Sequence, residues 1–166
     1  IGAPAKPIVA VGDEVLKGQV IAEANGLISA PVHSSVSGKV KGIKDCLTAR
    51  GEKVKSIIIE NDFEYKEVEG LGVKTDPSNL SKQEIIEKIR NAGIVGLGGA
   101  GFPTAVKLSP KNPSEIDTVI VNGCECEPYL TVDYRVMLEK GEQIVKAMRI
   151  VSKLFENAKI VFGIED

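Results

Sequence analysis

The spacing of apolar residues changes near residue 67, and no single type of regular element accommodates both patterns. Before that point short apolar runs alternate with glycine turns. Val9-Ala10-Val11 runs into Gly12-Asp13, Val15 is followed by Lys17-Gly18, and Val20-Ile21-Ala22 leads to Asn25-Gly26. Asn-Gly suits the two positive φ angles of a type I′ turn. Ile28, Ala30 and Val32 alternate with other residues, Val36 leads to Ser37-Gly38, and Val40 and Ile43 lead to Asp45. Ile57-Ile58-Ile59 reads as a strand buried on both faces. No helical period of useful length occurs, and many short strands with frequent turns predict a compact β barrel or sandwich. Alternating apolar residues usually face inward, which assigns Val9, Val11, Val15 and Ile21 to its core. His33, within Pro31-Val32-His33-Ser34-Ser35, is expected in an exposed turn between strands.

From residue 67 the pattern becomes mixed. Thr75-Asp76-Pro77-Ser78-Asn79 has the composition of a linker end. Ser81 and Glu84 have capping-box spacing, and Leu80 and Ile85 sit where a hydrophobic staple would. Ile85, Ile86 and Ile89 make one stripe of a helix that Gly93 stops. Asp117 to Val121 reads as a strand, Asp133 to about Leu138 as a short helix, and Gly141 to Phe155 as a longer one. Ile144, Val145, Met148, Val151 and Phe155 share a face of the latter. Lys159 to Gly163 is a further strand. Helices alternating with strands predict an α/β layer.

Composition narrows the class. Lys plus Arg number 21 and Asp plus Glu 23, a net charge of -2, so no basic excess points to nucleic acid. Aromatics are 4% and Trp is absent, so the core must be mostly aliphatic. No apolar run approaches the roughly 18 residues of a membrane span. Three cysteines are an odd number, a poor disulfide framework that fits a reducing cytosol better. No secretion signal is visible. The chain begins at Ile1 and ends just after a strand-like run, and it reads as an excerpt of something longer.

Two stretches carry chemistry. Gly96-Leu97-Gly98-Gly99-Ala100-Gly101-Phe102-Pro103-Thr104 places four glycines in six residues. Backbone N–H groups stripped of side chains can converge on an anion. Pro103 suits the first turn of a following helix, whose positive end would face the same anion, and Lys107 could add a charge. Gly96, Gly98 and Gly101 also fit G-x-G-x-x-G. The dinucleotide fingerprint needs a strand before it and an acid at the end of the next strand. Here a helix precedes with only Ile94-Val95 between, and Asp117 starts the next strand, so the standard dinucleotide fold is rejected. A glycine turn that merely packs a helix close to a sheet stays open.

The second stretch, Asn122-Gly123-Cys124-Glu125-Cys126-Glu127-Pro128-Tyr129, follows a strand. Ligands of α/β sheets sit at the carboxyl ends of strands. Asn122 offers donor and acceptor to a flavin ring edge or a ribose, and Glu125 and Glu127 could accept from ribityl or ribose hydroxyls. Cys124 and Cys126 form a C-x-C pair without the further ligands a metal needs, so no metal site is assigned. One of the two is expected to pack as a small apolar group.

GLGGAGFPTAVKL, Gly96 to Leu108, resembles the flavin loop of the NADH-binding 51 kDa-type subunit of respiratory complex I. VNGCECEPYLTVDYRVMLEK, Val121 to Lys140, resembles the RnfC family, a subunit family of the Rnf electron-transport complex. The opening IGAPAKPIVAVGDEVLKGQVIAE and the segment APVHSSVSGKV are similar to the same family. These pieces come in the family's order and span nearly the whole chain. Relatives with the same layout include an electron-transfer protein linked to proline reductase and a cobalamin-reducing flavoprotein of propanediol use. The ECEPY stretch favours RnfC over the last.

The resemblance implies a two-part chain. Residues 1–66 would be a small all-β barrel-sandwich hybrid, like biotinyl and lipoyl domains. Residues 67–166 would be the first part of an α/β FMN- and NADH-binding domain. It implies FMN phosphate and ring near Gly96, Gly98, Gly99, Ala100, Gly101 and Phe102, and Lys107 near cofactor phosphate. Asn122, Cys124, Glu125 and Cys126 would edge the flavin, although the complex I loop carries other residues where the two cysteines stand. Glu127 would lie near the nicotinamide nucleotide. These are cofactor-positioning roles, and no acid–base residue is required. The family's 4Fe-4S clusters belong to a C-terminal part outside this chain, which has no Cys-x-x-Cys run. A carrier role would need a lysine on the exposed turn Glu23-Ala24-Asn25-Gly26-Leu27, and none is there.

The implied function is electron transport between NAD(H) and iron–sulfur carriers through FMN. Implied partners are NADH, the other subunits of a membrane complex on whose cytoplasmic side this one sits peripherally, and indirectly a ferredoxin-type carrier. The isolated stretch is expected to lack cofactor and activity. Two alternatives stand beside this: a non-enzymatic docking module built on the β half, which exposed apolar area would support, and a flavoprotein partner of proline or corrinoid reduction.

Overall fold

The computed structural model describes residues 2–48, 51–97 and 100–165. The chain divides into two compact units, Ile1–Asp76 with Lys88–Thr104 and Pro77–Glu87 with Ala105–Asp166.

The first unit contains strands β1 (Lys6–Pro7), β2 (Glu14–Val15), β3 (Val20–Glu23), β4 (Val32–His33), β5 (Gly38–Leu47) and β6 (Lys53–Asn61). They form two antiparallel sheets, β1-β3-β4 and β2-β5-β6. The short-strand reading therefore holds as a pair of open sheets, and the described strands close no barrel. Val15, Ile21 and Val40 are at most 5% exposed, with Val9, Ile43, Ile57 and Ile59 packed against them. Full burial of each such aliphatic side chain contributes about 1.5–3 kcal/mol, and this core is aliphatic throughout.

Several local expectations are corrected. Val11 is 64% exposed. It occupies the corner of a turn in which Asp13 N–H donates to the Ala10 carbonyl (3.2 Å) and Ala10 N–H to Asp13 Oδ2 (2.7 Å), so its side chain faces out. Ile57 and Ile59 face the core while Ile58 covers Gly42 on the opposite face, and all three are half-buried rather than buried. β5 continues through Asp45 to Leu47. Asn25-Gly26 makes no type I′ turn, because Gly26 has φ +101° but Asn25 is not in the positive region. Instead Asn25 N–H donates to Ser29 Oγ (3.0 Å), and that buried hydroxyl donates to the Ala3 carbonyl (2.9 Å), drawing the chain into a longer connection. His33 is half-buried on β4 opposite Val20, not in a turn.

Gly38 shows why a glycine opens β5. Its φ is +149°, and a Cβ there would stand 2.0 Å from the Glu60 carbonyl oxygen. Beside it the buried Ser37 hydroxyl donates to Asp62 Oδ1 (2.7 Å) and accepts from Lys66 N–H (2.9 Å). The hydrogen bonds that Asp62 accepts, the Ser37 one foremost, hold its carboxyl below its ordinary pKa.

Helix α1 (Lys82–Asn91) begins with the expected capping box. Ser81 N–H and Oγ donate to Glu84 Oε2 (2.8 and 2.7 Å), and Glu84 N–H returns to Ser81 Oγ (3.3 Å). Ile85 is 3% exposed, Ile86 and Ile89 are half-buried, and Gly93 (φ +66°) ends the turn. Helix α2 is only Thr104–Lys107.

In the second unit β7 (Thr118–Gly123) and β8 (Lys159–Ile164) pair in parallel, with α3 (Val132–Ser152) between them in sequence and packed on both. A parallel pair needs such a crossover. Lys140 is non-helical (φ -126°, ψ 18°), so α3 is two helices joined at a kink, at the break expected between residues 138 and 141. Ile144, Met148 and Val151 are half-buried, whereas Val145 is 47% exposed, and Phe155 is buried just beyond the helix. Among the described residues no helix is long and apolar enough to cross a membrane.

Candidate functional site

The glycine loop belongs to the first unit. Its neck is an antiparallel bridge between Val95 and Pro103. Gly96 N–H donates to the Phe102 carbonyl and Thr104 N–H to the Ile94 carbonyl, both at 3.0 Å. These bonds flank the bridged pair, so neither Val95 nor Pro103 needs its own N–H in the ladder. Proline, lacking one, therefore fits this position. The expectation that Pro103 opens a helix is corrected: it is buried in the neck, and α2 begins after it. With four residues α2 has little dipole to offer an anion.

Past the neck the loop is backbone. Gly101 has φ +66°, a region costly to any side chain. A Cβ at Gly96 would meet nothing closer than 3.9 Å, so the space beside it is open. Leu97 is 94% exposed, and Phe102 is half-buried. Ala100 is exposed, and Gly98 and Gly99 lie outside the described residues. A closed neck with bare backbone beyond it is what an anion-binding loop requires, and the residues present fit a phosphate group such as that of FMN. Lys107, exposed at the end of α2, makes no ion pair among the described residues.

The second loop belongs to the second unit and is built differently. Asn122 and Gly123 are the last residues of β7, paired with Gly163 and Ile164, not the first of the loop. A Cβ at Gly123 would stand 2.9 Å from the Phe162 ring, so only glycine lets β8 approach this closely. Asn122 Oδ1 accepts from Cys124 N–H (3.1 Å), which folds the chain over as it leaves the strand. That leaves the exposed Asn122 amide N–H₂ for an outside group.

Glu125 has a role that the sequence alone does not announce. Its Oε1 accepts from the N–H of Tyr134 (3.1 Å), in the first turn of α3. Thr131, at the N-cap position, makes no side-chain cap bond, so Glu125 caps the helix from outside it. The one cue available is that Thr131 is followed three residues later by Tyr134 rather than Glu or Gln, so α3 lacks its own capping box. The second Glu125 oxygen takes no hydrogen bond among the described residues.

The Cys126 thiol donates to Glu127 Oε2 (2.8 Å). That bond, with burial and the negative charge of Glu127, raises the thiol above its ordinary pKa. Cys126 is thereby held as a protonated thiol, poorly suited to ligate a metal or attack an electrophile. Cys124 is half-buried, with Sγ 4.0 Å from where a Cβ of Gly163 would be, the packing role expected of one cysteine. Tyr129 takes φ +70° and is fully exposed. The loop thus offers the Asn122 amide, one Glu125 oxygen and the Glu127 carboxylate as polar contacts for a ring edge or a sugar hydroxyl.

Comparison with known proteins is consistent in both halves. Residues 1–64 match the model of the RnfC barrel sandwich hybrid domain, and residues 89–166 match that of the Nuo51 FMN-binding domain. The chain is 46% identical, over its whole length, to the RnfC-type subunit of the proton-translocating ferredoxin:NAD(+) oxidoreductase complex of Clostridium ljungdahlii. It is 42% identical, again over its whole length, to the corresponding subunit of the Na(+)-translocating ferredoxin:NAD(+) oxidoreductase complex of Acetobacterium woodii. Over 99% of the chain it is 42% identical to the corresponding subunit of the ion-translocating oxidoreductase complex of Rhodobacter capsulatus. It spans 36%, 38% and 32% of those relatives, about a third of each.

Proposed function

Because this chain belongs to the RnfC family of ion-translocating oxidoreductase subunits, we propose that it is part of a protein exchanging electrons between NAD(H) and iron–sulfur carriers through FMN. The observation that supports this most is the glycine loop itself: a neck closed by backbone hydrogen bonds, with a bare and open backbone beyond it.

In this reading residues 1–66 are the barrel-sandwich hybrid and residues 67–166 the opening part of the α/β flavin domain. Gly96, Gly98, Gly99, Ala100, Gly101 and Phe102 present backbone to the FMN phosphate, and Lys107 adds a cation to phosphate recognition. Asn122 donates its amide N–H to the ring edge, and Glu125 accepts from a ribityl hydroxyl while it keeps α3 capped. Glu127 accepts from the nicotinamide nucleotide. Cys124 and Cys126 contribute backbone and shape, since one packs inward and the other is bound to Glu127. FMN, when bound, supplies the conversion between the two-electron chemistry of nicotinamide and the one-electron chemistry of iron–sulfur carriers. The residues hold, orient and set local charge. The 4Fe-4S carriers would belong to other parts of the protein or complex, and the subunit would sit peripherally on the cytoplasmic side.

The test is NADH-dependent ferricyanide reduction by the full-length protein reconstituted with FMN. Gly96→Ala should retain activity, because a methyl group there meets open space, and Gly96→Trp should lose it by filling that space. Absence of NADH oxidation by the wild type, or an unaffected Gly96→Trp, would overturn the reading.

A further inference from the structure

A groove of about 760 Å³ opens in the first unit and shares no lining residue with the glycine loop. One wall is Pro7 of β1, Ala22 of β3 and Val32 of β4, and the other is β6 from Lys53 to Ile57. Val32 is 47% and Val54 43% exposed, so the apolar lining is open to solvent. Among the described strands β6 pairs only with β5, which leaves its outer backbone edge without a strand partner. The only charged residues that line the groove among the described residues are Lys53 and Lys55, and neither makes an ion pair there.

An unpaired edge, an apolar trough beside it and two unmatched cations together specify an occupant. The edge supplies backbone donors and acceptors to an added strand. The trough takes every second side chain of that strand. The lysines repel a second basic edge and attract carboxylates. A concave trough with a backbone edge fits a peptide better than the flat surface of a bilayer. We propose that this groove binds an extended acidic segment of a partner protein, added antiparallel or parallel to β6, with apolar side chains inward and carboxylates at Lys53 and Lys55. At about 3.3 Å per residue the edge from Lys53 to Ile57 spans roughly 13 Å, room for about five residues.

The experiment uses the full-length protein and two fluorescein-labelled peptides, Glu-Val-Glu-Val-Glu-Val and Lys-Val-Lys-Val-Lys-Val, read by anisotropy. The acidic peptide should bind, and the basic one should not. Lys53→Glu with Lys55→Glu should weaken the acidic peptide at least about tenfold. The acidic peptide N-methylated at alternate residues should also bind more weakly, a test that leaves the protein unaltered. Equal binding of the two peptides, or indifference to the double substitution, would overturn the proposal. So would lysine-dependent binding to phosphatidylglycerol vesicles without binding of the acidic peptide, which would assign the patch to a membrane surface.

Discussion

The two candidate loops reach a similar purpose by opposite means. The glycine loop is held at its neck by backbone alone, through Gly96 N–H to Phe102 and Thr104 N–H to Ile94. The Asn122–Glu127 loop is held by side chains: Asn122 folds back on Cys124, Glu125 caps α3, and Glu127 accepts from Cys126. A loop built from backbone keeps its N–H groups for a ligand and is sensitive to any added side chain. A loop built from side chains spends part of each polar group on its own shape, so a substitution there changes both shape and binding. The same contrast recurs inside the first unit, where Asn61 and Asp62 tie down the N–H groups of Phe63 and Glu64 and the chain accepts positive φ at Phe63 and Tyr65.

The largest effect should come from the backbone loop. Gly101→Val forces a β-branched residue into φ +66°, a strain of at least about 1–2 kcal/mol. FMN affinity of the full-length protein, measured by titration, should fall at least about tenfold, since 1.4 kcal/mol is tenfold. A Gly101→Val protein that binds FMN normally would break the contrast.

In the side-chain loop the effect should appear first in stability. Glu125→Ala removes the cap on Tyr134 and should cost about 1 kcal/mol, a fall of about 2–4 °C in Tm. Glu125→Gln keeps an acceptor oxygen and should recover much of that loss. Equal melting of both variants and the wild type would show that the loop does not depend on this side chain.

Two smaller effects sharpen the contrast. Asp62 has a folded pKa below its unfolded one, so its contribution is fully present above the ordinary carboxylate range and is lost as pH falls through the lowered value. Acid titration of stability should therefore show a shallower low-pH decline in Asp62→Asn than in the wild type. At Cys126 the direction is opposite, because Glu127 raises the thiol pKa. Glu127→Gln should lower that pKa and speed iodoacetamide alkylation of Cys126 a few-fold at mildly alkaline pH, about the size of effect a partial pKa shift produces. An unchanged rate would show that the Cys126–Glu127 hydrogen bond does not govern the thiol.

The same contrast separates what is legible in the sequence from what is not. The α1 capping box, the break in α3 near Lys140 and the Val15–Ile21 core follow from local spacing, because short-range geometry decides them. The glycine loop is legible because its chemistry lies in missing side chains, which composition records directly. Val11 and Asn25 mislead because tertiary or turn partners, Asp13 beside one and Ser29 beside the other, set their conformations. Glu125 reads as a ligand contact because nothing in its neighbours says that it caps the helix starting at residue 132. Pro103 suits both a first helical turn and a bridge position whose N–H is not used, and only the neck geometry separates them.

The central claim is that the glycine loop recognises a phosphate through its backbone. The most direct measurement compares FMN with riboflavin, which lacks the phosphate, by fluorescence quenching with the full-length protein in its wild-type and Gly101→Val forms. Backbone recognition predicts that the wild type prefers FMN by at least about tenfold and that Gly101→Val erases the preference. Equal affinity for the two flavins in the wild type would contradict it and leave the loop as a turn that only joins α1 to α2.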